Sequence, residues 1–253
     1  MSRFTGLKPV FRREFRAYFS SPLGYVFIVI FLVASGFLTL SRDFGRLLEL
    51  RQADLAPFFN YLPWLFVVLV PAVAMRLWAE ERKTGTVELL LTLPVTLQGA
   101  YLGKFLAGWS FVGLSLLLTW PVVLQVARLG NPDWGAILGG YLGSALAAAA
   151  FLAVGMLFSA LSRNQVVAFI LGVAASALFL LLGLPQTLEV IGKLPGRYVG
   201  GYVEQLFTSL SLVDHFETLS RGLLEFRSLL FFALFTLGWL VCGMLVLDRT
   251  RAA

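Results

Sequence analysis

The chain has 253 residues, 58% of them hydrophobic and 13% charged, with a formal net charge of +6. Soluble domains average about 45 to 50% apolar and about 25% charged residues, so this composition excludes an ordinary water-soluble domain. The basic excess is what membrane topology and anionic lipid require, and it calls for no nucleic acid.

Charge-free runs at 17–41, 55–75, 105–127, 134–162, 164–188 and 228–247 each meet the length of about 20 residues that a spanning helix needs. The expected fold is therefore an all-α membrane protein of six transmembrane helices, with spans at about 24–41, 57–77, 104–127, 135–161, 165–184 and 228–247. An even number of spans puts both termini on one side. With the amino terminus inside, the inner Lys and Arg are Arg3, Lys8, Arg12, Arg13, Arg16, Arg76, Arg82, Lys83, Lys104, Arg163, Arg249 and Arg251. This is the majority of the 20 basic residues, so the positive-inside rule makes both termini cytoplasmic and the protein a resident of the inner, cytoplasmic membrane.

Residues 9–20 set apolar Val10, Phe11, Phe15, Tyr18 and Phe19 against basic Arg12, Arg13 and Arg16, the pattern of a helix lying in the headgroup plane. Pro9 suits its first turn and Pro22 ends it. A plain basic anchor that only satisfies topology is the alternative reading. The run after it is longer than the apolar core of a cleavable signal, so it reads as a retained anchor.

Residues 76–96, R-L-W-A-E-E-R-K-T-G-T-V-E-L-L-L-T-L-P-V-T, are the densest charged stretch of the chain and lie between two spans. Gly85 is placed to take a positive φ and end the helix that carries Trp78 to Lys83. Thr86 is placed to cap a second, short helix over 86–93, with Glu88 in its first turn and Pro94 closing it. That helix presents Val87, Leu90, Leu91 and Leu93, too much apolar surface to hide on itself, so it needs a groove in a partner or the lipid interface. A re-entrant loop without a partner fits the same residues. Glu80 and Glu81 also fit a solvated turn pairing with Arg76, Arg82 or Lys83.

Trp78, Glu80, Arg82, Gly85, Thr86, Glu88, Leu89, Leu90 and Pro94, followed by Gly103 and Lys104, resemble the first cytoplasmic loop of type 2 ABC-transporter permeases. The nearest branch is that of the gliding-motility and nitrous-oxide-reductase maturation permeases. The resemblance implies that 9–20 is an elbow helix and that 78–96 holds a coupling helix docking on a separate ATPase subunit. The contact residues it points to are Glu80, Glu81, Arg82, Gly85, Thr86, Glu88, Leu90 and Leu91. It also implies a second permease copy or homologue, with ATP and Mg held by the partner and no cofactor in this chain.

In the fourth run Gly139, Gly143 and Ala147, and likewise Gly140, Ser144 and Ala148, recur every four residues, as do Gly172 and Ser176 in the fifth. Such stripes let helix backbones approach, either within the chain or across a dimer seam. Between the fifth and sixth spans an external segment, 186–227, carries two amphipathic patterns. They are Val203, Leu206, Phe207 and Leu210, then Leu212, Phe216 and Leu219. His215-Phe216, Arg221-Gly222 and Phe231-Phe232 resemble a segment of the same branch, which more often has Tyr-Phe in the last pair. Phe207, His215, Phe216 and Arg221 are the candidates for an external gate. The same segment could instead hold an extracytoplasmic partner.

No ionisable residue falls centrally in a span, which disfavours an ion-coupled carrier. Gly99-Ala-Tyr-Leu-Gly103-Lys104-Phe105 has three residues between its glycines where a P-loop has four, and Phe where it needs Ser or Thr, so Lys104 is expected to snorkel to the interface instead. One histidine and one cysteine close neither a metal site nor a catalytic triad. The expected function is the membrane-spanning subunit of an ABC exporter, not itself an enzyme, with spans two and five and the outer helices lining the path. The alternatives are a non-transporting scaffold for an extracytoplasmic assembly and an ion-coupled secondary carrier.

Overall fold

The computed structural model describes residues 6–41, 54–86, 95–184, 187, 209 and 211–249. Those residues form helices α1 (Leu7–Ser20), α2 (Pro22–Leu40), α3 (Ala56–Thr84), α4 (Leu97–Leu117), α5 (Trp120–Leu129), α6 (Trp134–Leu161), α7 (Gln165–Leu182), α8 (Leu212–Ser220) and α9 (Phe226–Arg249). Six stretches are long and apolar enough to cross a membrane: α2, α3, α4 continuing into α5, α6, α7 and α9. The protein is a six-span, all-helical membrane protein.

Helix α6 is the axis, packed against α3, α9, α7, α8 and α4. Asp133 caps its start by accepting from Gly135 and Ala136 amides, and Asn164 caps α7 in the same manner. The small-residue stripes serve these internal contacts. A Cβ added to Gly143 would stand 3.1 Å from Leu219 of α8, and one on Gly155 would stand 2.7 Å from Ala74 of α3. Gly172 of α7 meets Pro71 of α3 at 3.2 Å on the same measure. Of the two uses open to the stripes, close packing within the chain is the one these glycines serve.

Pro121 breaks the third span, since it cannot donate into the ladder. Thr119 secures the joint by donating to Leu116 O at 2.6 Å and sharing a 2.8 Å hydrogen bond with Tyr141. The second amphipathic pattern of the external segment forms α8, with Ser211 accepting from Asp214 N and donating to Gly183 O at the end of α7. Val203, Leu206, Phe207 and Leu210 lie outside the described residues.

Candidate functional site

At one end of the bundle α3 runs on through its charged residues to Thr84. Gly85 ends it at φ 69°, its amide donating to Glu81 O. This left-handed conformation is open to glycine at little cost, which explains the stop. Trp78 and Ala79 are fully buried there. Ser159 of α6 holds that turn: its hydroxyl accepts from the amides of Trp78 (3.0 Å) and Ala79 (3.1 Å) and donates to Met75 O (2.8 Å). Arg82 donates to Ala160 O, one of the last carbonyls of α6, where a cation also suits the helix dipole.

Helix α1 lies across this end. A Cβ on Gly103 would be 2.9 Å from Leu7 O and 3.1 Å from Val10, so the missing side chain lets α1 settle on α4. That crossing brings four charges together. Lys104 Nζ lies 2.9 Å from Glu81 and 3.0 Å from Glu14, while Arg13 reaches Glu81 at 3.0 Å and Glu14 at 2.6 Å. Two carboxylates and two cations balance, and Lys104 is only 1% exposed. Lys104 therefore does not snorkel to the interface: two acids supplied by α1 and α3 neutralise it where it stands. Its ammonium also lies 5.1 Å over the Trp78 ring, which stacks on Tyr101 at 5.5 Å. Burial alone would raise the Glu14 carboxyl, but Lys104 and Arg13 outweigh it and hold the group below its usual 4.5.

The expected contact residues thus divide. Glu81 and Arg82 are half-buried and tied to the fold, Glu81 by Arg13 and Lys104 instead of Arg76, Arg82 or Lys83. Glu80, Gly85 and Thr86 are exposed at the tip. Thr84 and Thr86 share a 2.9 Å hydrogen bond that tightens that tip. Glu88, Leu90 and Leu91 lie outside the described residues. Arg13, Glu14, Lys104 and Ser159 were not among the expected site residues. Glu14, the first acidic residue of the chain and set among Arg12, Arg13 and Arg16, was the available signal.

At the other end His215 and Phe216 are buried while Arg221 is exposed and pairs with Glu217 at 3.1 Å. The His215 ring lies 3.0 Å from Ser228 Oγ and 3.1 Å from Ser209 O, and stacks on Phe231 at 4.3 Å. Phe216 packs near Gly143. His215 and Phe216 therefore pin α8 onto α9 and α6. Among the described residues no group of three His, Cys, Asp or Glu is placed to hold a metal ion.

The family model described as "ABC-2 family transporter protein" matches residues 9–249. The chain belongs to the ABC-2 transporter family. Almost the whole chain is covered, from the start of α1 to the end of α9, so the matched unit is the six-span bundle together with α1. Members of the ABC-2 family are membrane components of transporters and are not themselves catalytic, and the family implies partnership with an ABC ATPase. No curated protein matches the chain significantly. In this ABC-2 transporter the charged junction of α1, α3 and α4 is the candidate functional site, because it fixes the end of α3 at which Glu80, Lys83, Thr84, Gly85 and Thr86 stand exposed.

Proposed function

We propose that this chain is the permease subunit of an ABC exporter in the cytoplasmic membrane, with both termini inside and a separate ATPase docked on the loop 78–96. The observation that carries the reading is the rigid mounting of α3's tip. Glu80, Lys83, Thr84, Gly85 and Thr86 stand exposed on a helix end fixed by Ser159, by Arg82 on Ala160 and by the four-charge junction. A push delivered there reaches α1, α4 and α6 together, because each holds that turn by a polar contact that resists sliding. ATP and Mg belong to the partner in this reading. A second copy of the chain or a homologue completes the pathway, twofold pairing being the default for such assemblies. Within the ABC-2 family this reading favours the gliding-motility and nitrous-oxide-reductase maturation branch, which the residues of the loop resemble.

The test is purification of the tagged chain from its native membranes in mild detergent, with mass spectrometry of what accompanies it. Glu88→Arg and Gly85→Pro are run alongside. A P-loop ATPase that accompanies the wild type and is lost from both correctly inserted variants is the expected result. Extracytoplasmic proteins in its place would overturn the reading in favour of a scaffold.

A further inference from the structure

A slot of about 150 Å³ opens between α1, α2, α3 and α4 at the same end of the bundle. Leu23, Phe27, Ile30, Leu69, Val73 and Phe111 form its apolar walls. Leu23, Val26 and Ile30, which line it, are exposed on α2, so the slot faces the hydrocarbon in which α2 sits. Its polar end is Arg76, beside Tyr18. The Arg76 guanidinium donates to Ser21 Oγ at 3.2 Å and lies 4.4 Å over the Tyr18 ring, and among the described residues no carboxylate pairs with it. It differs in this from Lys104, which two acids neutralise.

We propose that this slot holds one anionic glycerophospholipid, its phosphate on Arg76 and the first part of one acyl chain along Phe27, Leu69 and Val73. Charge selects the headgroup. A guanidinium has five donors in a planar fork that matches phosphate, and one donor goes to Ser21. The first turn of α2, beginning at Pro22 with no side-chain cap, adds the positive end of a helix at the same level. Lys8, Arg12 and Arg16 are exposed on α1, and a headgroup carrying its own cation would meet their repulsion. Size and depth select the tail. A cavity of this volume takes an apolar group of about the bulk of benzene, hence a few methylenes, with the remainder of the chain lying in the bilayer. Leu69 and Arg76 are seven residues apart on α3, or roughly 10 Å of helix, which fits within one leaflet of a core about 30 Å thick. The proposal requires only that α2 and α3 span the bilayer and is independent of ATPase docking.

Native mass spectrometry of the detergent-purified full chain, titrated with dioleoylphosphatidylglycerol and with dioleoylphosphatidylcholine, tests it. The wild type is expected to retain phosphatidylglycerol about tenfold more tightly, because the choline cation of the other lipid meets the repulsion of Lys8, Arg12 and Arg16. Arg76→Gln should weaken retention of both lipids, since each carries the phosphate that Arg76 holds, and Arg76→Lys should fall between. Ile30→Trp, on the lipid-facing side of α2 and so harmless to folding, should weaken both lipids by filling the mouth while leaving Arg76 in place. Equal retention of the two lipids by the wild type overturns the proposal. So does unaltered retention of both lipids in Arg76→Gln. If Arg76→Gln does not fold, unaltered lipid retention in Ile30→Trp decides against it. A lipid-free dimer disrupted by Ile30→Trp would instead assign the slot to a second copy of the chain.

Discussion

Lys104 Nζ and Glu81 Oε1 meet at 2.9 Å between α4 and α3, with the lysine shut away from solvent. Removing the cation leaves Glu81 and Glu14 sharing only Arg13. Breaking a buried pair from one side costs about 3 to 5 kcal/mol, and with Arg13 still present Lys104→Met should cost about 3. Denaturation in mixed micelles reads this. Lys104→Met combined with Glu81→Gln should cost less than the sum of the two, and strict additivity would show that the charges do not act as a unit.

The junction should also respond to acid. Glu14 is held below its usual 4.5 in the folded chain, so its contribution is fully present above that value. It is lost as pH falls through the lower, folded value. Thermal unfolding in detergent should be level from pH 7 to about 5 in this respect and decline below, and Glu14→Gln should flatten that decline. A decline of equal size in Glu14→Gln would place its origin elsewhere.

Ser159→Ala removes the hydroxyl between the amide of Ala79 and the carbonyl of Met75. These two groups are four residues apart on α3 and can bond to each other, so the expected loss is about 1 kcal/mol, the low end for an unsatisfied buried group. Ser159→Val puts a methyl where the hydroxyl sits and adds a second at a buried site, which blocks that closure and should cost more. Melting temperatures of the two variants make the comparison.

Gly155→Ala sets a methyl 2.7 Å from Ala74, whereas Gly113→Ala meets nothing within 4 Å. Overpacking costs about 1 to 3 kcal/mol, while replacing a helical glycine that has room for a methyl by alanine gains up to about 1. The two variants should therefore shift the melting temperature in opposite directions.

Gly85 has open space around it, and only its φ of 69° resists a side chain. Gly85→Ala should loosen the last turn of α3 by about 1 kcal/mol, and Gly85→Asn by less, since asparagine visits this conformation more readily. Amide exchange at Thr84 reports the fraying. Equal exchange in alanine, asparagine and wild type would mean that the glycine does not hold the end.

The spans were legible because the solvent they need is written in runs of uncharged residues such as 164–188. The end of α3 at Gly85 was legible because it depends on one residue's own backbone. Lys104 was misread because a lone charge at the edge of an apolar run looks like a residue reaching for water. Its partner Glu14 is ninety positions away, and no local pattern couples them. Ser159 was equally silent: a serine in an apolar helix gives no sign that it will enter the hydrogen-bond ladder of another.

The four charges have an order of birth. Arg13 and Glu14 leave the ribosome first, then Glu81, and Lys104 last. At roughly 5 to 20 residues per second, several seconds separate the first acid from the lysine. The third span thus enters the membrane with the counter-charges of its lysine already made. A circular permutant that began at α4 would reverse that sequence, and its first helix would have to be inserted with an ammonium that nothing yet neutralises.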